Sequence, residues 1–355
     1  MRNLITILAI LLGLGASAQQ TRLLTPDKYS DYGLVYALPN TAFEVEVTAR
    51  HTVRQAGPFR QFAPKYVGTD NVITADAETW EITGVRLRTY GVANDSAIYR
   101  MQLKAGQPLT LCVADDGMLL GVNAEVEPDA GWEPLDNPEP LLMPSATEYL
   151  QYVGEEFSSA QSDARRAALL AAGLNEVRQA RLDLTRGTAD NMPTDGAQLD
   201  LMLKSLTHQE ELLLNAFRGR EMTETRSARF TLVPAEEGRY VLARLNPYTG
   251  FVNRDDLSGT PIYLDIKQLE VPEIPKDEKG QEARLPRDGV MYMLPGTAQV
   301  ALQWQGRELF SSTTEMAQYG IPFALDPALF TNKKAPAAAI FNPATGALRS
   351  LGEMK

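Results

Sequence analysis

The sequence predicts an α+β protein: mainly antiparallel β modules, sandwich or barrel-like, flanking a central αα-hairpin. Three observations lead there. Period-2 runs rich in Val, Thr, Tyr and Ile recur on both sides of the chain's middle. Two long segments of helical period fill that middle, and glycine-containing turns separate the apolar runs on either side.

Residues 1–18 read as a signal peptide, with Arg2 as positive n-region, an apolar stretch over 4–14, and Ala16-Ser17-Ala18 as an A-x-A cleavage site. The stretch is too short and wrongly flanked for a retained membrane span. Cleavage after Ala18 leaves Gln19 first, and Gln offers no thiol for lipid attachment. No other segment approaches ~20 apolar residues, so no transmembrane segment is expected in the mature chain.

Residues 19–125 form the predicted N-terminal β domain. Phe43-Glu44-Val45-Glu46-Val47 alternates, and Trp80-Glu81-Ile82-Thr83-Gly84-Val85-Arg86-Leu87 does so with one glycine that suits a bulge. Apolar runs at 97–103 and 109–113 come next. Asp115-Asp116-Gly117 then turns the chain into Met118-Leu119-Leu120, because glycine accepts the positive φ of a tight hairpin.

Residues 126–157 are a Pro-rich linker or arm, with Pro128, Pro134, Pro138, Pro140 and Pro144 excluding regular helix and central strand. Residues 158–218 are the αα-hairpin. Its first helix carries Leu170, Leu174, Val177 and Leu184 on one stripe, near Arg165, Arg166, Arg178 and Arg181. Its second opens at Asp195 with Gln198 as a capping box and repeats Leu199, Met202, Leu206 and Leu213. The loop at 187–195 is short enough to fold one helix back on the other.

Residues 219–355 are assigned to one or more C-terminal β domains, with strands at 228–233, 240–245, 262–266, 290–294, 300–304 and 337–341. A candidate split lies at 272–288, where three prolines and mixed charges interrupt the pattern.

The chain also echoes itself. Gly33-Leu34-Val35-Tyr36-Ala37-Leu38-Pro39-Asn40-Thr41-Ala42 and Gly289-Val290-Met291-Tyr292-Met293-Leu294-Pro295-Gly296-Thr297-Ala298 agree at six of ten positions. Asn246-Pro247-Tyr248-Thr249-Gly250 and Asn342-Pro343-Ala344-Thr345-Gly346 form a second pair, each suited to a hairpin turn. A duplicated β module and convergent turn chemistry both account for these matches.

Composition excludes several functions. With 34 Lys+Arg against 45 Asp+Glu the net charge is −11, the wrong sign for a nucleic-acid surface. A single cysteine excludes an internal disulfide framework and a Cys-rich zinc site. Cys112, in Leu109-Thr110-Leu111-Cys112-Val113, is expected to be a buried small hydrophobe. His51 and His208 each lack a second ligand at metal-binding spacing, since Leu occupies position 212 where a zincin helix needs histidine. There is no Gly-x-Ser-x-Gly elbow and no phosphate loop, and Asp115-Asp116-Gly117 and Asp255-Asp256 lack calcium-loop spacing. No catalytic residue, metal ligand or cofactor is therefore assigned. Carboxylates are plentiful, which leaves a two-carboxylate glycosidase open without singling out a pair.

Three residues are candidate ligand contacts. Trp132 is an aromatic in the arm, suited to stacking on a sugar ring, while Arg178 and Arg181 lie on the helical face suited to a partner. Trp80 and Trp304 fall in strands and are expected in the core. Asp95-Ser96-Ala97 matches the short motif at which some Gram-negative bacteria glycosylate exported proteins.

The mature chain as a whole resembles a family of uncharacterised exported Gram-negative bacterial proteins defined as a domain of unknown function. The resemblance rests on Tyr36-Ala37-Leu38-Pro39, Gly57-Pro58-Phe59 with Tyr66, Trp80-Glu81-Ile82 and Pro193-Thr194-Asp195-Gly196. Gln209-Glu210-Glu211-Leu212 with Phe217, and Asp256-Leu257-Ser258-Gly259-Thr260-Pro261, complete it. It implies export and carries over no catalytic residues. The sequence thus points to an exported cell-envelope protein, periplasmic, outer-membrane-associated or secreted, that acts as a non-enzymatic binding or assembly component. Its expected partner is an envelope protein or a glycan, not a nucleic acid. The alternative is a carboxylate-dependent glycoside hydrolase or a glycan-binding module.

Overall fold

The computed structural model describes residues 20–23, 33–102, 109–127, 129–276, 279–286, 289–332 and 335–353. The leader expected at 1–18 lies outside them. The chain is α+β, and every strand ladder is antiparallel.

The strands are β1 (Gln20–Leu23), β2 (Leu34–Gln55), β3 (Ala77–Gln102), β4 (Leu111–Val113), β5 (Leu119–Val122), β6 (Arg220–Leu232) and β7 (Gly238–Asn246). They continue as β8 (Gly250–Val252), β9 (Thr260–Glu270), β10 (Val290–Trp304), β11 (Arg307–Leu325), β12 (Ala337–Phe341) and β13 (Leu348–Glu353). The helices are α1 (Ala63–Tyr66), α2 (Glu155–Ser159), α3 (Asp163–Arg186) and α4 (Gly196–Arg218). Three sheets result, ordered β1-β3-β2-β6, β11-β10-β9-β7-β8 and β13-β12-β5-β4.

Some strands are longer than the sequence pattern predicts. The runs at 290–294 and 300–304 are one strand, β10, which passes through Pro295, as β2 passes through Pro39. Both prolines sit where the ladder shifts register, between Ala37 and Pro39 and between Leu294 and Gly296. A bulge relieves the ladder of the N–H that proline lacks and bends the strand. The run at 80–87 and the described part of the run at 97–103, which reaches Gln102, likewise belong to one strand, β3.

The bends decide how the cores are filled. Before its proline, each strand feeds one core: Tyr36 and Leu38 from β2, Val290 and Tyr292 from β10, packed with Leu119, Val122 and Phe341. Beyond it, each feeds another, with Phe43, Val45 and Val47 meeting Ile262, Leu264, Val300, Leu302 and Trp304. The β zones at 19–125 and 219–355 therefore contribute to the same two cores. Both Asn-Pro-x-Thr-Gly turns join antiparallel strands, β7 to β8 and β12 to β13.

The second turn is wedged against the first bend. Thr41, fully buried, donates its hydroxyl to the Ala344 carbonyl at 2.8 Å and accepts the Ala317 N–H at 2.9 Å. The Gln318 amide bridges both main-chain groups of Thr41, at 2.9 and 2.7 Å. A Cβ at Gly91 would lie 1.9 Å from the Pro343 carbonyl oxygen, so only glycine fits there.

α3 and α4 form the hairpin. Ser162 and Asp195 cap them, accepting the N–H of Arg165 and of Gln198, and α3 stops at Gly187 with φ 72°. The Gln198 carboxamide reaches back to the Thr194 N–H, one residue earlier than an ideal capping box. The proximal halves share a third core in which Leu170, Leu174, Leu213 and Phe217 meet Phe59, Tyr149 and Phe157. Between residues 175 and 211 only Leu184 and Glu210 are buried, so the distal halves have each other for cover and little else. Among the described residues no helix is long and apolar enough to cross a membrane.

Cys112 departs from expectation. It is half-buried, with its thiol 3.6 Å from the Val126 carbonyl, because β4 is the end strand of its sheet.

Candidate functional site

Alternation along β2 places Glu44 and Glu46 on the face opposite Phe43, Val45 and Val47. Register then supplies their partners: Arg88 and Arg86 on β3 lie opposite Glu44 and Glu46, and Arg229 on β6 lies opposite Glu46 from the other side. Arg86 donates to Glu46 Oε1 through Nε and Nη2, at 3.1 and 2.6 Å, and Arg229 Nε donates to Oε2 at 2.9 Å. Arg88 joins Glu44 to Asp129 at the start of the arm. Burial pushes the Glu46 carboxyl up. The hydrogen bonds and charges of Arg229 and Arg86 outweigh that and hold it below the usual carboxylate range.

Trp132 covers this network. Its ring centroid lies 5.0 Å from the Arg86 guanidinium, 5.4 Å from that of Arg229 and 5.6 Å from that of Arg88. A cleft of about 480 Å³ borders the ring, with Glu133, Leu135 and Asp136 on its rim. Trp132 is half-buried rather than freely presented, and each guanidinium beneath it is already matched to a carboxylate.

From Trp132 the arm follows the outer edge of β6. The Asn137 side chain exchanges two hydrogen bonds with the Ser227 main chain, both at 2.8 Å. Arg226 donates to the Pro138 carbonyl, Glu224 accepts the Leu141 N–H, and Arg220 donates to the Ser145 carbonyl. Arm numbers rise as β6 numbers fall, so the arm runs antiparallel to the strand. Its prolines prevent a true ladder, and the Asn137 carboxamide stands in for a peptide group.

His51 lies on β2, opposite Trp80 on β3 and Glu224 on β6. Nδ1 is 3.0 Å from Glu224 Oε1, Nε2 is 2.8 Å from Glu78 Oε1, and the ring stacks on Trp80 at 4.2 Å and 8°. Both nitrogens face acceptors and the residue is buried, which makes it a packed cross-strand tie. His208 is exposed on α4. Among the described residues, no three His, Cys, Asp or Glu side chains are grouped as metal ligands.

On the hairpin, Arg178 Nε lies 2.8 Å from Glu210 Oε1 and Arg181 Nη1 lies 2.6 Å from Glu210 Oε2. The two arginines thus clamp α3 to a buried carboxylate of α4. Glu210 was legible only as an acid on the apolar stripe, four residues after Leu206 and three before Leu213. At the distal tip the helices and their loop enclose a groove of about 470 Å³ lined by Ala180, Leu184, Met202 and Leu206, with Asp183 and Asp190 on its rim. On the same distal half of the hairpin Leu201 is 69% exposed, and Leu182 and Met192 are each 42% exposed.

Residues 32–349 match the family model described as a domain of unknown function (DUF4831), and the chain belongs to that family. No curated protein and no solved structure matches it.

Proposed function

We propose that this chain is an exported, non-enzymatic binding or assembly component of a Gram-negative cell envelope, with the distal end of its helical hairpin as the docking element. The observation that carries this is the groove at the tip, with Ala180, Leu184, Met202 and Leu206 in its lining, together with the exposed Leu182, Met192 and Leu201 on the same distal half of the hairpin. A two-helix layer leaves one flank of each helix uncovered, and grouped apolar side chains on such a flank suit a protein partner. Arg178 and Arg181 serve this indirectly, holding the helices in register through Glu210. The carboxylates gathered on β2 and around His51 are engaged by arginine or histidine, which favours binding over acid–base hydrolysis.

Export is supported by the pattern at 1–18. β1 starts at Gln20, so cleavage after Ala18 would remove the leader and no strand. Amino-terminal sequencing of the protein from its native host should begin at Gln19, and recovery of Met1 would contradict export by this route. For docking, native gel filtration of envelope extract should place the chain well above its own mass. The double variant Leu201→Glu, Met192→Glu should elute as the free chain with its melting temperature preserved. Co-elution of variant and parent would remove the hairpin from the account.

A further inference from the structure

We infer that the slot between β6 and β8 receives an extended polypeptide, taken up as an added β-strand. This does not depend on docking at the hairpin. β6 ends one sheet and β8 ends the other. Between them lies a cleft of about 680 Å³, lined on one wall by residues 228–231 of β6, on its floor by Leu242 and Ala243, and on the other wall by residues 251–255. Phe230, Leu242 and Phe251, at the margin of the first core, supply the apolar part of its lining, and Arg229, Thr231, Asn253, Arg254 and Asp255 the polar part.

The backbone of β6 faces into it. Ser227 gives its N–H and C=O to Asn137, so both point away from β2. The β2–β6 ladder has no register shift from Phe43/Leu232 to Gln55/Arg220, and alternation therefore turns the main-chain groups of Arg229 and Thr231 outward as well. Among the described residues no strand pairs with this edge.

The occupant is implied by the segment already lying on β6. The chain's own arm runs antiparallel along this edge from Ser145 beside Arg220 to Asn137 beside Ser227, and the cleft opens on the next four residues. The arm leaves the edge there and crosses to the outer face, where Trp132 sits. A partner segment that retains its N–H groups would continue the same line through main-chain hydrogen bonds, with every second side chain on the apolar floor. Arg254 and Asp255 at the rim are exposed and of opposite sign, so recognition rests on the backbone and the apolar positions.

The test selects nine-residue peptides from a phage-displayed library against the whole chain and resynthesises the best binder with N-methyl groups on one or the other alternate set of amides. One set should weaken binding at least about tenfold and the other should be tolerated, as strand addition requires. Thr231→Pro, which removes an outward N–H that no strand of the described residues accepts, should weaken binding to the same extent, and bound peptide should slow hydrogen exchange at Arg229 and Thr231. Binders indifferent to both methylation patterns, or a library that yields no binder, would overturn the proposal. If Thr231→Pro fails to fold, the methylated peptides on the unaltered chain decide alone.

Discussion

The outward faces of β2 and β10 are reached through decapeptides that agree at six of ten positions, yet they have opposite chemistry. Beyond Pro39, β2 presents Glu44 and Glu46, ringed by three arginines and closed over by Trp132. Beyond Pro295, β10 turns Gln299 and Gln303 outward, and beside them Arg239 pairs with Asp265 and lies over the Tyr263 ring. The echoed residues set the bend and the split between two cores. They do not set the chemistry of the strand beyond the bend. The difference teaches that a densely charged sheet face and its cover go together. The arm helps shelter Glu44, Glu46, Arg88 and Arg229 from the water that would screen them, while Arg86 stays open to solvent, and the ion pairs give the proline-rich arm something other than a ladder to bind.

Removing one carboxylate from each face should separate the two faces most. Glu46→Ala leaves Arg86 and Arg229 facing each other beneath an indole and should cost about 3 kcal/mol in denaturant unfolding. Asp265→Ala on the open face, where the carboxylate is 25% exposed against 8% for Glu46 and a single arginine pairs with it, should cost less than about 1 kcal/mol. Equal losses would mean that the cover does nothing for the charges.

Removing the cover is the next largest change. Trp132→Ala should cost about 2 kcal/mol by loss of three ring–guanidinium contacts. It should also open the arm to limited proteolysis within 129–145 and lower the coupling of Glu46 to Arg86 in a double-mutant cycle. Proteolysis unchanged from the parent would show that Asn137 and Leu141 suffice to hold the arm.

Acid titration gives a smaller, signed effect. The folded-state pKa of Glu46 lies below its ordinary value, so its stabilisation is complete above that ordinary value and is lost as pH falls through the depressed one. The stability difference between the parent and Glu46→Gln should therefore shrink on acidification. A difference that grows as pH falls would contradict the assigned pairing. Smallest of all, Arg178→Ala should cost about 1 kcal/mol, since Arg181 still holds Glu210 and the lost side chain is partly exposed.

Much of the fold was legible locally. Asp195 and the loop from Gly187 punctuate helices whose apolar stripes were plain, whereas the Ser162 cap of α3 was not singled out, and 240–245 and 262–266 alternate as half-buried strands should. β11 was not legible, because Ser311, Ser312, Thr313, Thr314 and Glu315 have no apolar alternation. They are strand through the ladder to β10. The candidate sites were less legible still. Trp132 stood out as an aromatic among prolines, but Arg229, one of the three arginines around it, lies 97 residues away in the chain. His51 finds its carboxylates 27 and 173 residues away. Pairings of that range are set by register between strands, which periodicity within one strand does not contain.

In the proposed function the partner meets the hairpin tip, not the outward face of β10. A photo-crosslinking residue at Leu201, compared with one at exposed Gln299 on β10, tests it inside the producing cell. A discrete adduct from position 201 and none from 299 is the expected result. An adduct from 299 alone, or from neither position, would contradict it.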